Sequence, residues 1–158
     1  SNDSAELTTF KMNVSLREIT SETVREVIAL AVSPAQQKFV TPNATSLAEA
    51  LFSEEAWYRA IYADETLVGF VMLYDETLHA TPPEVPAIGL WRLMIDQRYQ
   101  RQGIGREVIR QIVEYVRQRP TVNSLRTSYV PGVAGPESFY LSLGFQPTGE
   151  VENGEIVL

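Results

Sequence analysis

Residues 93–106 have the sequence LMIDQRYQRQGIGR, an apolar run followed by a short polar loop that contains Gly103 and Gly105. Directly after the loop, apolar residues recur at helical spacing from Ile104 to Val116, which predicts a long amphipathic helix. The first N–H groups of a helix have no acceptor within it, and the helix dipole is positive there. The segment therefore predicts a strand, a turn that lets the backbone approach a ligand, and an anion site suited to a pyrophosphate.

Other phosphate-binding loops do not match this segment. A P-loop requires Gly-Lys-Ser/Thr, and the chain contains no such tripeptide. A dinucleotide-binding fingerprint requires a third glycine, which would fall at Val108, and an early first strand. The pattern that fits is Gln/Arg-x-x-Gly-x-Gly/Ala after an apolar strand, here residues 100–105.

Length and composition restrict the class of protein. The 158 residues are 44% hydrophobic and 21% charged, which is typical of one globular domain. The chain has no cysteine, so disulfides, thiolate metal sites and cysteine nucleophiles are excluded. His79 is the one histidine, and we expect it to be an exposed bystander and the protein to use no metal. Neither a secretion signal nor an apolar run of about 18 residues is present, so we expect a cytoplasmic protein.

Charge is distributed unevenly along the chain. The net charge of −7 argues against nucleic-acid binding, which needs a basic surface. All of this negative charge lies in residues 1–79, whereas residues 92–126 contain eight arginines against three carboxylates. An acidic first half suits a polycationic substrate, although each carboxylate by itself also fits a solvated surface charge. The acidic candidates are Glu49, Glu54, Glu55, Asp75, Glu76 and Glu84.

Apolar periodicity and turn residues predict one mixed α/β domain. The predicted strands are 14–19, 57–63, 67–74, 87–95 and 122–129, and a closing hairpin pairs 146–151 with 155–158. The predicted helices are one that ends at Leu30 (capped by Thr20 or Ser21), 47–52 (capped by Ser46), 104–119 and 137–143 (ended by Gly144). Residues 77–86 contain three prolines and predict a loop, and residues 1–11 are interpreted as a tail or cloning remnant before a domain over 12–158.

Two motifs and the order of elements resemble the GNAT superfamily of N-acetyltransferases. The first motif is the loop at residues 100–105, and the second is Phe139-Tyr140-Leu141-Ser142-Leu143-Gly144-Phe145 some forty residues later. The resemblance implies an α/β (α+β) fold with a mixed, mostly antiparallel central sheet and helices on both faces. It also implies direct transfer of an acetyl group from acetyl-CoA to an amine.

A narrower resemblance concerns the acceptor. Residues 37–43, 67–72, 91–96 (Trp-Arg-Leu-Met-Ile-Asp) and 131–132 are similar to the bacterial diamine/spermidine/spermine N-acetyltransferase group. This implies a primary amine of a small di- or polyamine as substrate. Two alternatives stay open: another acceptor (an aminoglycoside, an amino acid or a protein N-terminus), or a non-catalytic acyl-CoA-binding module. A homodimer is compatible with the sequence.

The superfamily resemblance also implies roles for individual residues. A main-chain N–H near Met94, beside a bulge in the strand, would polarise the thioester carbonyl. Tyr140 would be the general acid, and a core tyrosine is the alternative. The general base stays open, with Glu84 or Tyr129 acting through a water chain, and Val133 stands where many members have an asparagine that contacts the cofactor. The implied cofactor-binding residues are Leu93, Met94, Ile95, Gln100, Arg101, Gln102, Gly103, Ile104, Gly105 and Arg106, and the implied substrate-binding residues are Glu84, Trp91 and Tyr129.

Overall fold

The structure is a computed structural model that describes residues 12–129, 131–132, 135–152 and 155–157, with side chains for all of these except 129, 152 and 155–157. The strands are β1 (Val14–Arg17), β2 (Ala56–Ala63), β3 (Thr66–Asp75), β4 (Ile88–Ile95), β5 (Leu125–Tyr129), β6 (Val151–Glu152) and β7 (Glu155–Val157). The helices are α1 (Val24–Ala29), α2 (Asn43–Ala50), α3 (Ile104–Arg117) and α4 (Glu137–Ser142). Short 3-10 turns occupy Gln37–Phe39, Glu76–Leu78 and Gln97–Tyr99.

The described strands form one sheet in the order β1-β2-β3-β4-β5-β7-β6. Its pairs are antiparallel except β4 with β5, which run parallel. This confirms the α/β fold with a mixed, mostly antiparallel sheet. The antiparallel pairing of β6 with β7 confirms a closing hairpin, but residues 146–150, which were predicted as strand, are irregular and β6 begins at Val151. Residues 153–154 at its turn, and the tail over residues 1–11, lie outside the described residues.

Helices cover both faces of the sheet, as expected. Successive residues of a strand point to opposite faces, so β3 is apolar along both of them. Val71 and Leu73 pack in a core with α3 and α4. Phe70 and Met72 pack in a second core with α1, on the other face. None of the helices in the described part of the chain has the length and apolarity that crossing a membrane requires.

Helices α3 and α4 form where the sequence predicts them. The apolar face predicted for α3 is confirmed, with Ile104, Val108, Ile109, Ile112 and Val116 buried. Gly144 has a φ of 97°, and the N–H of Phe145 donates to the carbonyl of Tyr140 across it. This bond is the Schellman arrangement, which confirms Gly144 as the residue that ends α4.

Two helix boundaries were predicted wrongly. Helix α2 starts at Asn43, directly after Pro42, whereas Ser46 was expected to cap it; Ser46 is buried inside the helix. The side chain of Asn43 is occupied elsewhere, since it donates to the carbonyl of Val27 at 2.8 Å. Helix α1 starts at Val24, whereas Thr20 or Ser21 was expected to cap it, because Thr20 and Thr23 bond to each other in a turn before it. The strand predicted from residue 122 also begins later, at Leu125.

Two glycines of the sheet give a matched test of the β3–β4 packing. A Cβ added at Gly69 would lie 2.4 Å from the carbonyl oxygen of Met94, whereas one at Gly89 meets nothing nearer than 3.7 Å. We therefore expect Gly69→Ala to lower the free energy of unfolding by about 1–3 kcal/mol, because a backbone atom must move. Gly89→Ala is expected to change it by no more than about 0.5 kcal/mol. Urea unfolding of both variants checks this, and equal effects would contradict it.

Candidate active site

Strand β4 carries a bulge at Trp91. Leu90 pairs with Leu73 and Arg92 pairs with Met72, so Trp91 is an extra residue opposite β3. The parallel ladder to β5 ends at the same place, since its last pair is Leu90 with Thr127. From Trp91 onward, β4 therefore has an edge that no described strand pairs. The two strands separate there, and the resulting gap lies between residues 91–95 and the end of β5.

Along a strand, the main-chain N–H and C=O groups of successive residues point alternately to its two sides, which shows the groups that face this free edge. Asp96 donates its N–H to the carbonyl of Val68 in β3 at 2.8 Å. Since main-chain groups of alternate residues face the same neighbour in an antiparallel ladder, those of Met94 also face β3, and those of Leu93 and Ile95 face the gap. The carbonyl of Ile95 does point away from β3, because it accepts from Gln100 Nε2 at 2.9 Å. The main-chain N–H next to Met94 that faces the gap is therefore that of Leu93.

The glycine loop provides a group of unshared donors. Gly103 has a φ of 82° and Arg101 a φ of 62°, which turns the chain sharply before α3 begins at Ile104. The first N–H groups of α3 have no acceptor within the helix. Arg101, Gln102 and Arg106 are exposed beside them. This combination of amides, helix dipole and guanidinium groups fits a pyrophosphate. Gly105 has a second reason to be glycine, since a Cβ there would lie 3.1 Å from the Phe139 ring.

Asp96 fixes the point where β4 enters this loop. It is 3% exposed and accepts from the N–H groups of Ala31 and Arg98 at 3.0 Å each and from Arg98 Nε at 2.8 Å. Burial by itself would raise the pKa of Asp96, but these three donors more than offset it and lower the pKa. Gln100, which was expected to bind the cofactor, instead uses its side chain to hold Ile95 and Gln36. No sequence pattern indicated the contact with Gln36.

A shallow groove of about 390 Å³ opens beside the gap. Its aromatic wall is formed by Trp91 and Tyr74, whose rings lie 5.9 Å apart and nearly perpendicular. Arg126 lines the other side and pairs with Glu150 at 2.7 Å. Trp91, which was expected to bind substrate, is thus one of the residues that line this groove. The full lining is Tyr74, Ala87, Ile88, Gly89, Leu90, Trp91, Arg126, Thr127 and Ser128.

Acidic side chains lie at the Tyr74 end of this groove. Burial, followed by the negative charges of Glu55 and Glu76, raises the pKa of Tyr74. The expectation that His79 is a bystander is wrong: Nδ1 faces Glu54, and Nε2 lies 2.6 Å from Glu55. Each ring nitrogen thus faces a different carboxylate, which suits a protonated imidazole. The hydrogen bond to Glu54 is the main reason that the pKa of His79 is raised.

Asp75, by contrast, is not available to a substrate. It is completely buried, and its carboxylate accepts from the Tyr115 hydroxyl and from Thr77, with Arg119 Nε at 3.6 Å. Burial, together with the bond to Asp75, raises the pKa of Tyr115. The charge of Asp75 is thus used to join β3 to the end of α3. The sequence pattern placed it wrongly among the substrate candidates.

The remaining site candidates occupy different surroundings. Tyr140 is 7% exposed on α4, and its ring packs against those of Phe139 and Phe145 at 5.7 and 5.5 Å. Glu84 is exposed on the loop before β4 and is not among the residues that line the groove. Tyr129 ends β5 beside the gap, and its side chain, like residue 133, lies outside the described part of the chain.

The free edge of β4, the glycine loop and α4 lie within one contiguous family match. The model described as "Acetyltransferase (GNAT) domain" matches residues 54–147, more than half of the chain. The protein belongs to the GNAT acetyltransferase family. It is therefore an N-acetyltransferase whose acetyl donor is acetyl-CoA, and its matched segment runs from just before β2 to just after α4.

Relatives and solved structures are consistent with this family. The chain is 25% identical to the spermine/spermidine N(1)-acetyltransferase of Bacillus subtilis over 93% of this chain and 97% of that protein. It resembles the PaiA N-acetyltransferase of Thermoplasma acidophilum, solved with coenzyme A, with a TM-score of 0.67, 16% identity, and coverage of 92% and 97%. It also resembles an aminoglycoside 6′-N-acetyltransferase of Acinetobacter haemolyticus with a TM-score of 0.60, 18% identity, and coverage of 89% and 95%. These two structural likenesses concern the fold.

The His79 cluster predicts a specific dependence of stability on pH. Because the pKa of His79 is raised in the folded protein, the cluster stabilises the fold fully below the unfolded-state pKa of about 6.5. That stabilisation is lost as the pH rises through the folded-state pKa. We therefore expect His79→Gln to lower the melting temperature at pH 6 and to have progressively less effect as the pH is raised toward 9.

Thermal unfolding of wild type and variant across pH 6–9 makes this measurement. Glu84→Gln is the matched control, because Glu84 is exposed at the other end of the same loop. Its difference from wild type should not change over this range. A His79→Gln difference that is constant with pH would show that the imidazole contributes only by packing.

Proposed function

We propose that this enzyme acetylates a primary amine of a small di- or polyamine such as spermidine or spermine. The observation that carries the proposal is the groove beside the β4–β5 gap, which has an aromatic wall and an acidic end. The resemblance to a spermine/spermidine acetyltransferase over nearly the whole chain supports the same acceptor. Aminoglycosides, which are also polycationic amines, are the main alternative because an enzyme of that class shares the fold.

The charges around the groove favour a cationic acceptor. Both arginines beside it are matched by a carboxylate, Arg126 by Glu150 at 2.7 Å and Arg92 by Glu49 at 3.5 Å. The Tyr74 end, in contrast, has three carboxylates near one imidazole (Glu54, Glu55 and Glu76 near His79). That end keeps a net negative charge even when the imidazole is protonated. An ammonium group gains from this charge and from the faces of Trp91 and Tyr74.

We propose that acetyl-CoA lies along the free edge of β4. In this arrangement the main-chain groups of Leu93 and Ile95 pair with the pantetheine arm as an added strand would. The amides of residues 101–106, with the guanidinium groups of Arg101 and Arg106, hold the pyrophosphate. Gln102 and Gly103 contribute main-chain groups to the same loop. The side chain of Gln100 holds the loop against the end of β4 by donating a hydrogen bond to the carbonyl of Ile95.

Bound acetyl-CoA supplies a thioester whose acetyl group passes directly to the amine. A polyamine ammonium has a pKa of about 10.4, so its nitrogen must lose a proton before it attacks. The Leu93 N–H donates to the carbonyl oxygen, where negative charge develops during the attack. Tyr140 gives its phenolic proton to the departing sulfur and regains one from the nitrogen, which loses a proton as the amide forms. The transfer to sulfur is nearly balanced, because a phenol has a pKa of about 10 and a thiol about 8.5.

The acceptor and the acid are tested together by thiol release from acetyl-CoA. We expect turnover with spermidine and spermine at rates well above those with aminoglycosides or N-terminal peptides. Tyr140→Phe should lower kcat by about 10²-fold or more, the contribution of one general acid. Tyr62→Phe is the control. Tyr62 belongs to β2, its ring packs under the guanidinium of Arg17 in β1, and both strands are remote from the gap. Turnover of only a different amine would overturn the acceptor, and unchanged kcat in Tyr140→Phe would overturn the acid.

The proposed pyrophosphate site is tested by substituting the two arginines at the start of α3, Arg101 in the loop before it and Arg106 in its first turn. Arg101→Ala and Arg106→Ala should each weaken coenzyme A binding by about tenfold, the value of one charge-assisted hydrogen bond. Arg110→Ala is the control, because Arg110 is also exposed on α3 but pairs with Glu107 at 2.7 Å. Calorimetric titration with coenzyme A and with pantetheine makes the comparison. An equal loss of affinity for pantetheine, which has no pyrophosphate, would contradict the assignment.

A further inference from the structure

Thr127 occupies the vertex of the gap. It forms the last pair of the parallel ladder, opposite Leu90, and the next residue of β4 is the bulged Trp91. Neighbouring residues in a parallel pair point to the same face, and Leu90 packs in the core that contains α3 and Tyr140. The Thr127 side chain therefore lies on the face of α3 and α4, where the strands begin to separate.

The hydroxyl of Thr127 is buried without a partner. The residue is 4% exposed, and Oγ1 has no hydrogen bond among the described residues. A buried hydroxyl without a partner destabilises the fold, and valine would fill the same space in a strand without this cost. The described residues contain two other unpartnered buried side-chain atoms, Arg92 Nε and Ser46 Oγ. Arg92 pairs with Met72 and reaches Glu49 of α2, so its side chain lies on the opposite face of the sheet. Of the three atoms, the Thr127 hydroxyl is the one on the α3 face at the end of the parallel ladder.

We propose that the Thr127 hydroxyl is a binding group for the reacting end of acetyl-CoA, to whose thioester it donates a hydrogen bond. This rests on the proposed function, because it places the thioester at the vertex of the gap. Thr127 keeps its proton throughout. The new bond forms between the amine nitrogen and the acetyl carbon, and the bond between that carbon and sulfur breaks. Thr127 lies on the face of the sheet against which Tyr140 packs, at the closed end of the gap into which the main-chain groups of Leu93 point.

Two substitutions at this position separate binding from structure. Thr127→Val keeps the shape and removes the hydroxyl, so its melting temperature should equal or exceed that of wild type. Its kcat/KM for acetyl-CoA should fall about tenfold, the value of one hydrogen bond. Thr127→Ser keeps the hydroxyl and removes a methyl group, so it should be less stable but retain most of the activity. Thr127→Val is thus expected to be the more stable but less active variant, and Thr127→Ser the less stable but more active one. If the threonine had only a structural role, activity would fall together with stability.

Ser46→Ala is the matched control, because it removes another unpartnered buried hydroxyl, from α2. We expect its kcat/KM to remain at the wild-type value. The proposal is overturned if Thr127→Val has wild-type kcat/KM, or if Thr127→Val is less stable than wild type. In the latter case the hydroxyl is already satisfied within the fold.

Calorimetry with acetyl-CoA and with coenzyme A keeps this test independent of the acceptor. Thr127→Val should weaken acetyl-CoA binding more than coenzyme A binding, since coenzyme A has no thioester. Equal affinities of wild type and variant for acetyl-CoA would overturn the proposal even if wild type turned over no amine. A wild-type enzyme that binds acetyl-CoA but acetylates no polyamine would overturn the proposed acceptor and leave the Thr127 comparison valid.

Discussion

The separation of β4 from β5 is the constraint on which the rest of the site depends. One extra residue, Trp91, shifts the register against β3, and the parallel ladder ends one residue earlier, at Leu90. A fully paired β4 would have no free main-chain groups. Because it is paired on one side only, Leu93 and Ile95 direct their main-chain groups into the gap, and the aromatic ring of Trp91 lies at the edge of the groove. The bulge at Trp91 thus accounts both for the free main-chain edge of β4 and for the aromatic wall of the groove.

The glycine loop is held at the end of this gap by contacts that use polar side chains for support. Asp96 joins the end of β4 to Ala31, just after α1, and Gln100 joins the loop to Ile95 and Gln36. Asp75 has the same kind of role at the other end of β3, where it holds Tyr115 and Arg119 of the α3 end. These polar side chains, of which Asp96 and Asp75 are buried, are all hydrogen-bonded within the protein. Thr127 differs from them, since its buried hydroxyl has no partner in the described chain, and this contrast is what marks it as a ligand group.

Local sequence patterns were sufficient where a single element determines the outcome. The helical periodicity from Ile104 to Val116, the glycines at 103 and 105, and the helix end at Gly144 were all predicted correctly, because each depends on residues close in the chain. The errors arose where distant residues compete for a group. Asn43 is the first residue of α2, and its side chain donates a hydrogen bond to the carbonyl of Val27. His79 contacts two glutamates about 25 residues away in the chain. No local pattern contains those partners.

The sequence by itself determined the fold class, the glycine turn before α3 and the family, because these follow from periodicity, glycine positions and two short motifs. Tertiary structure alone decided that Leu93 and not Met94 faces the gap, since the direction of a main-chain group depends on the register with β3. It also decided which carboxylates belong to the groove. Asp75 and Glu76 are adjacent in the chain, yet one is sealed in the core and the other lies near Tyr74, because a strand ends between them.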